Sequence, residues 1–475
     1  MTVQESADSN QETRYPITNN ISYMYQVYCS YIIAYKNHDK KDDFMNAELL
    51  KSSLTKLIRK YYKPVAGWFS IDNDNNIDVV IGTDRINSPP FTTQTLDMGY
   101  EDVMKQVRAS NEQLLVPRGP LPFIESGNQD IPMILVKMTY LKSNEAAVLG
   151  ITYHHSLMDG SAFWLFMYNW ANLCHQMATR DESSHAEYYI PCPPSFGVPS
   201  LSHLHDSNIK FDHNEYTLVD SSDCIREFKL GAETIKENIL HISIEEQHKI
   251  RAMAKQYGVS FTAMICALIW KEMSTVRVCA RPSSKALPSL FTCAVNPRAQ
   301  LGLSAFLCAS PVVNLATSKT LGQLAEMELE DVAKLVFQTV TKGSAAYVCS
   351  SMDFLVTHRM AEIEDEKQGR AGKKLMLAYV CPAPAKCTIS SSRNFPIYQT
   401  DFGFGSPEYV RPPYLPFDGC MRIWPTPQSR GEGLNNKEAL LEVYLSLPDY
   451  IDLSKSPLLR PFVASKLSSD NTDKR

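Results

Sequence analysis

The spacing of apolar residues along this chain switches between the two-residue period of strands and the longer period of helices, and each switch predicts an element. Tyr23 to Lys36 reads YMYQVYCSYIIAYK. Aromatic and β-branched residues at that density predict a strand or a strand pair. Ala47 to Tyr62 then places Leu50, Leu54, Leu57 and Ile58 at helical spacing and runs into Lys63-Pro64, a helix stop. Asp72 to Asn76, DNDNN, marks a reversal ahead of a strand over Ile77 to Ile81. Ile131 to Tyr140 predicts a further strand. The most informative stretch is Val148 to Met177, which opens as a buried-strand run, passes through HHSLMDG, and closes as seventeen residues of helical length and spacing.

From Ala178 to about Asn214 charge, Ser, His and the proline cluster Pro191 to Pro199 replace the periodic pattern, which predicts a crossover segment. Helical spacing returns at Ser243-Ile-Glu-Glu246, a capping box in which the Ser hydroxyl meets an exposed backbone N–H and the Glu reaches back. That helix is expected to stop at Gly258. Ser260 can cap the next, Phe261 to Met273, which is apolar on almost every face and therefore buried. Near the end, Leu440 to Leu447 has strand character.

Composition narrows the class. The 475 residues are 44% hydrophobic and 21% charged, enough for two domains with substantial cores, and the formal net charge of -5 makes no case for nucleic acid as a partner. The first fifteen residues do not resemble a secretory signal, and no run has the apolar length of a membrane span. Twelve cysteines are scattered singly, without CxxC pairs or His/Cys clusters, so neither a structural zinc site nor a disulfide framework is expected. The expected compartment is the reducing cytoplasm, and the expected state a monomer. The glycosylation sequon at Asn20 fits an accidental occurrence.

The chemistry concentrates in HHSLMDG. An imidazole titrates near neutrality, and a positioned neutral ring can take a proton from a hydroxyl or amine as that group attacks a carbonyl. His155 is the candidate for that role. His154 leaves the opposite face of the strand and reads as a packing or hydrogen-bonding neighbour. Asp159 could hold the imidazole directly, as the carboxylate of a triad does, or support the turn into the helix. Gly160 would let the backbone turn closely there. The bland alternative is a hydrogen-bonded core histidine. A serine hydrolase is disfavoured by the lack of a GxSxG elbow.

His155-Ser-Leu-Met-Asp159 and Asp401-Phe-Gly-Phe-Gly405, in that order and at that separation, resemble the HxxxD and DFGWG signature pair of the BAHD acyl-CoA-dependent acyltransferases. The resemblance extends from about Tyr23 to Leu459. Tyr62-Lys-Pro-Val-Ala-Gly67 is similar to the family's YPLAG turn, Ala267-Leu-Ile-Trp270-Lys to its AhlWr helix end, and Ala294-Val-Asn-Pro-Arg298-Ala-Gln300 to its VNxRxR strand. Departures are Gln300 for the second arginine, Ser392 for the Trp of SSW, Phe404 for the Trp of DFGWG, and Leu303 to Pro311 for the PPLPxxYFGN run. Phe404 keeps an aromatic plug and gives up a donor.

The resemblance implies an α/β (α+β) fold of chloramphenicol-acetyltransferase type. Two similar-sized lobes of mixed β-sheet flanked by helices would enclose a channel, with lobes over 1–185 and 226–475 and a crossover linker over 186–225. It implies transfer of an acyl group, acetyl by default, from CoA to a hydroxyl or amine of a small-molecule acceptor. His155 would be the general base and Asp159 its partner or support. Gly160, Asp401, Gly403, Gly405 and Arg298 would be architectural, with Arg298 paired to Asp401 across the chain. Acyl-CoA would be a co-substrate and no cofactor or metal would be permanently bound; Ser260, Ser310 and Ser391 are the candidates for touching CoA. HHxxxDG also resembles the condensation domains of peptide synthetases, which take acyl groups from carrier proteins, and a non-catalytic binding relative would keep the same fold.

Overall fold

The structure, a computed structural model, describes residues 13–16, 28–71, 77–81, 89–108, 114–117, 132–180, 187–196, 209–220, 235–368, 373–381, 385–427 and 440–460, with 223, 226, 230 and 234 between them. The expected reversal at 72–76 lies outside these residues, although the strands on either side of it pair antiparallel.

The strands are β1 (Thr13–Pro16), β2 (Tyr28–Lys36), β3 (Trp68–Ile71), β4 (Ile77–Ile81), β5 (Phe91–Thr95), β6 (Ile134–Tyr140), β7 (Ala146–His154), β8 (Tyr216–Val219), β9 (Ile235–Ile242), β10 (Pro288–Val295), β11 (Val313–Thr320), β12 (Lys374–Leu377), β13 (Lys386–Ser391), β14 (Tyr409–Arg411), β15 (Cys420–Pro425) and β16 (Leu441–Pro448). The helices are α1 (Ala47–Tyr61), α2 (Tyr100–Arg108), α3 (Gly160–Thr179), α4 (Ile244–Tyr257), α5 (Phe261–Ala280), α6 (Leu321–Glu326), α7 (Leu329–Thr341) and α8 (Ala345–Lys367).

Two larger sheets organise the chain. In the first lobe the order is β14-β2-β7-β6-β5, and in the second β11-β10-β13-β15-β16-β9. Strand β7 lies centrally in the first sheet and is buried at all nine positions, which is why its sequence is an unbroken apolar run rather than an alternation. One face of that sheet packs Tyr31, Ile33, Leu149 and Ile151 with α1 and α3; the other packs Ile32, Ala34 and Val148 with Val103, Met104 and Val107 of α2. The lobes are not cut cleanly at 226. Strand β14, from the second half of the chain, pairs antiparallel with β2 of the first lobe, Val410 opposite Ile33.

Local signals set the helices that carry the site. The capping box of α4 is present with both bonds, Glu246 N to Ser243 Oγ at 3.2 Å and Ser243 N to Glu246 Oε2 at 2.7 Å, and Gly258 ends the helix in the left-handed region. Ser260 caps α5 through Ala263 N at 3.1 Å. That helix runs on to Ala280, seven residues past the expected end, because no breaker follows Met273 and one side stays buried as far as Val276 and Arg277. Among the described residues no single helix is long and apolar enough to cross a membrane.

Candidate active site

His155 follows the last residue of β7, and Asp159 caps α3, its Oδ1 accepting from Ala162 N at 2.9 Å. An aspartate at that position satisfies an exposed helix N–H and sits at the favourable end of the helix dipole. Its other oxygen, Oδ2, accepts from Arg298 Nη1 at 2.5 Å, both side chains being buried. Arg298 donates its second nitrogen, Nη2, to the carbonyls of Leu307 and Ala309, each at 3.0 Å. Asp159 N in turn donates to Ala309 O at 3.1 Å. The loop after β10 in the second lobe is thereby clasped to the turn that carries His155 in the first.

This arrangement corrects the expected pairing of Arg298 with Asp401. Arg298 is spent on Asp159 and two carbonyls. Asp401 instead turns its carboxylate onto its own loop, where Oδ1 accepts from Gly403 N, Phe404 N and Gly405 N at 2.8, 3.1 and 2.9 Å. Gly403 and Gly405 have φ of +100° and +101°, a region costly for any residue with a Cβ. A Cβ on Gly403 would also press on Ala178 and His175 near the end of α3. Phe402 and Phe404 pack edge-on to Trp170 and Phe44.

Gly160 is the first residue of α3, and its requirement is space rather than backbone freedom. A Cβ there would stand 3.0 Å from the Phe395 ring, which belongs to the loop after β13.

His155 is half-buried at the surface between the lobes. Its Nδ1 lies 3.2 Å from Ser310 Oγ, and its ring stacks off Tyr153 at 6.1 Å. Burial lowers its pKa from the ordinary histidine value, with the Asp159 charge pulling the other way. At neutral pH the ring is therefore neutral and able to accept a proton. His154 faces the other side of the strand, Nδ1 2.7 Å from Ser156 Oγ, and complete burial pushes its pKa down to about 3.

Of the three serines considered for CoA, Ser310 is turned to His155, Ser260 is exposed at the start of α5, and Ser391 is exposed at the end of β13. Beside Ser260 is a feature the sequence did not signal. Arg251 of α4 and Arg393 of the β13 loop both lie over the Phe261 ring, at 4.1 and 5.0 Å. Burial and the charge of Arg251 hold the Arg393 pKa below its usual value, and Arg251 Nη2 is buried without an acceptor among the described residues. Two like charges gathered at a helix N-terminus favour an anion there. The three residues are 10 and 132 positions apart from one another along the chain, with no spacing to link them.

A solved structure of TRI101 from F. sporotrichioides, complexed with coenzyme A and T-2, is superposable at a TM-score of 0.66 with 16% identity, over 95% of this chain and 99% of that one. The fold is thus the two-lobed chloramphenicol-acetyltransferase type. The model of the Transferase family matches residues 3–449, and the chain belongs to that family, the BAHD acyltransferases. Among curated relatives, rosmarinate synthase of Plectranthus scutellarioides is 24% identical over 410 residues, 84% of this chain and 86% of its own length. Putrescine hydroxycinnamoyltransferase 3 of Oryza sativa subsp. japonica is 26% identical over 312 residues, 64% of this chain and 66% of its own length.

Proposed function

We propose that the protein transfers an acyl group from CoA to a hydroxyl or amine of a small-molecule acceptor, with His155 as general base. The observation that carries this reading is the site across the lobes: a neutral, half-buried imidazole whose Nδ1 is engaged by Ser310 and whose supporting turn is fixed by the Asp159–Arg298 pair. A thioester is already activated. The protein has to remove the acceptor's proton as its oxygen or nitrogen attacks the thioester carbon, and return a proton to the departing CoA sulfur. His155 Nε2 does both. Ser310 and Asp159 are positioning residues: Ser310 accepts from Nδ1–H and so selects the tautomer with a basic Nε2, and Asp159 fixes the turn without bonding the ring.

Arg251 and Arg393 flank Phe261 beside the exposed Ser260, and they supply the positive charge that the phosphates of CoA require. Acetyl-CoA is the default donor. Hydroxycinnamoyl-CoA joins it because the rice relative is named for that group. The relatives' names point to both putrescine and rosmarinate, so amine and hydroxyl acceptors both belong in a screen.

The test needs no acceptor. Free CoA at about a hundred times its dissociation constant should stabilise the purified protein by roughly 2.7 kcal/mol, a readily measured rise in Tm. Arg251→Ala with Arg393→Ala should remove the rise. A wild-type protein indifferent to CoA, acetyl-CoA and larger acyl-CoAs would contradict the reading.

A further inference from the structure

Three groups of different character bear on His155. Ser310 Oγ lies 3.2 Å from its Nδ1. Asp159 fixes the turn below it, with a carboxylate already committed to Ala162 N and Arg298. The third is Tyr153. Side chains two positions apart on a strand leave the same face, and the Tyr153 ring is stacked with the imidazole, centroids 6.1 Å apart and planes 27° from parallel.

Tyr153 is itself held in place. It is fully buried, and the Phe163 ring of α3 stacks on it at 4.3 Å with planes 12° apart. Phe163 is stacked with Tyr31 of β2 at 4.8 Å and 17°, and Tyr31 with Trp424 of β15 at 6.0 Å and 21°. Tyr31 and Tyr153 are 6° from parallel at 6.1 Å. Rings from both lobes thus share one orientation, and the imidazole continues the series. In a close-packed interior such rings have little room to tip.

The stack can do two things that the Ser310 contact cannot. A bond at the Nδ1 edge alone does not fix the tilt of the ring plane, and the tilt decides whether Nε2 meets the acceptor's hydroxyl or amine; a flat ring against the imidazole sets it. Ser310 is also neutral. Once Nε2 has taken the acceptor's proton, the imidazolium is a buried cation, which the negative face of an aromatic ring attracts. Burial raises the Tyr153 pKa well above its ordinary value, so the phenol stays neutral. The other titratable groups around the pair are His154 on the far face of the strand, Asp159 with Arg298, Cys308 beside those two, Cys29 opposite Tyr153 in register, and Tyr31.

We propose that Tyr153 is a positioning residue for acyl transfer: its ring sets the plane of the His155 imidazole and stabilises the imidazolium through which the transfer passes. The assignment rests on the acyl-transfer reading with His155 as base.

The experiment titrates His155 by imidazole NMR in histidine-labelled protein, using His155→Gln to identify its signals. CoA release from acetyl-CoA and hydroxycinnamoyl-CoA is measured on the same preparations. Tyr153→Phe keeps the ring and should titrate and turn over as wild type does. Tyr153→Met keeps a similar volume and removes the aromatic face. There the imidazolium loses a stabilising partner, so His155 should titrate at lower pH and the acid limb of kcat/KM should move the same way. Turnover should fall about tenfold in kcat with KM for acyl-CoA unchanged. Should Tyr153→Met fold poorly, pentafluorophenylalanine in place of Tyr153 keeps the shape, reverses the charge distribution of the ring and should move the titration in the same direction. A His155 titration unchanged in Tyr153→Met, or displaced equally in Tyr153→Phe, would overturn the proposal. So would a Met variant that lowers Tm and leaves the acid limb in place, the mark of a residue that serves packing alone. A wild-type protein that releases no CoA would count against acyl transfer instead, and the titration of the ligand-free protein would still decide the role of Tyr153.

Discussion

An aspartate that accepts from backbone N–H lies at each end of helix α3, Asp159 as its cap and Asp401 in a loop packed on its far end, and the two do different work. At the N-terminal end Asp159 caps the helix and binds a buried arginine from the other lobe, four residues after His155. At the C-terminal end Asp401 closes its own loop over three N–H groups, and Gly403 lets that loop lie against His175 and Ala178. The advance of fifteen positions from Gly160 to His175 spans about 22 Å of helix. The two motifs thus mark two places, one chemical and one structural. A motif pair that recurs together need not form one site.

The comparison can be broken by substitution. The largest effect on folding is expected at Arg298. Arg298→Ala would leave the Asp159 carboxylate buried and unpaired, and should cost about 3–5 kcal/mol in urea unfolding together with most activity. If stability is unchanged, the lobe clasp is not what holds the turn. Asp401→Ala removes the acceptor of three N–H groups from a partly exposed loop and should cost about 1–3 kcal/mol. The protein that remains folded should turn over normally.

Ser310→Ala sharpens the chemical end. Loss of the oxygen that accepts from Nδ1–H should lower kcat about tenfold, roughly 1.4 kcal/mol, with KM for acyl-CoA unchanged. It should also move the acid limb of kcat/KM to lower pH, since the imidazolium loses a partner. A purely structural serine would change Tm and leave the pH profile in place. At neutral pH the smallest effect belongs to His154. Its folded pKa of about 3 lies below the ordinary value of ~6.5, so the unfolded chain binds more protons in that window and stability falls as pH drops through it. His154→Gln should flatten that fall by up to ~1.4 kcal/mol per pH unit. An unchanged slope in Tm against pH would contradict the neutral burial of His154.

Much of this was legible in the sequence because it rests on local rules. The capping box at Ser243, the glycine stop at Gly258, the buried run of β7 and the turn at HHSLMDG are each set by residues within a few positions of one another. Relations across the lobes were harder to read. Arg298 was expected on Asp401, since both are family landmarks, yet the tertiary path brings it to Asp159. The strand exchange of β14 onto β2 comes from lobe docking and the gathering of Arg251 and Arg393 over Phe261 from packing within the second lobe, and no spacing along the chain encodes either. Gly160 reads in the sequence as a residue that lets the backbone turn closely, and in the structure it leaves room for the Phe395 ring from the other lobe. The helix end at Ala280 was missed because burial continued where periodicity weakened.

The central claim is that chemistry belongs to the His155 end of α3. The most direct test is His155→Ala, measured for acyl-CoA turnover and for Tm in the same preparation. A loss of about 10²–10⁴-fold in kcat, as expected for removal of a general base, with Tm and the CoA-induced shift unchanged, is the predicted result. Turnover within a few-fold of wild type would contradict it.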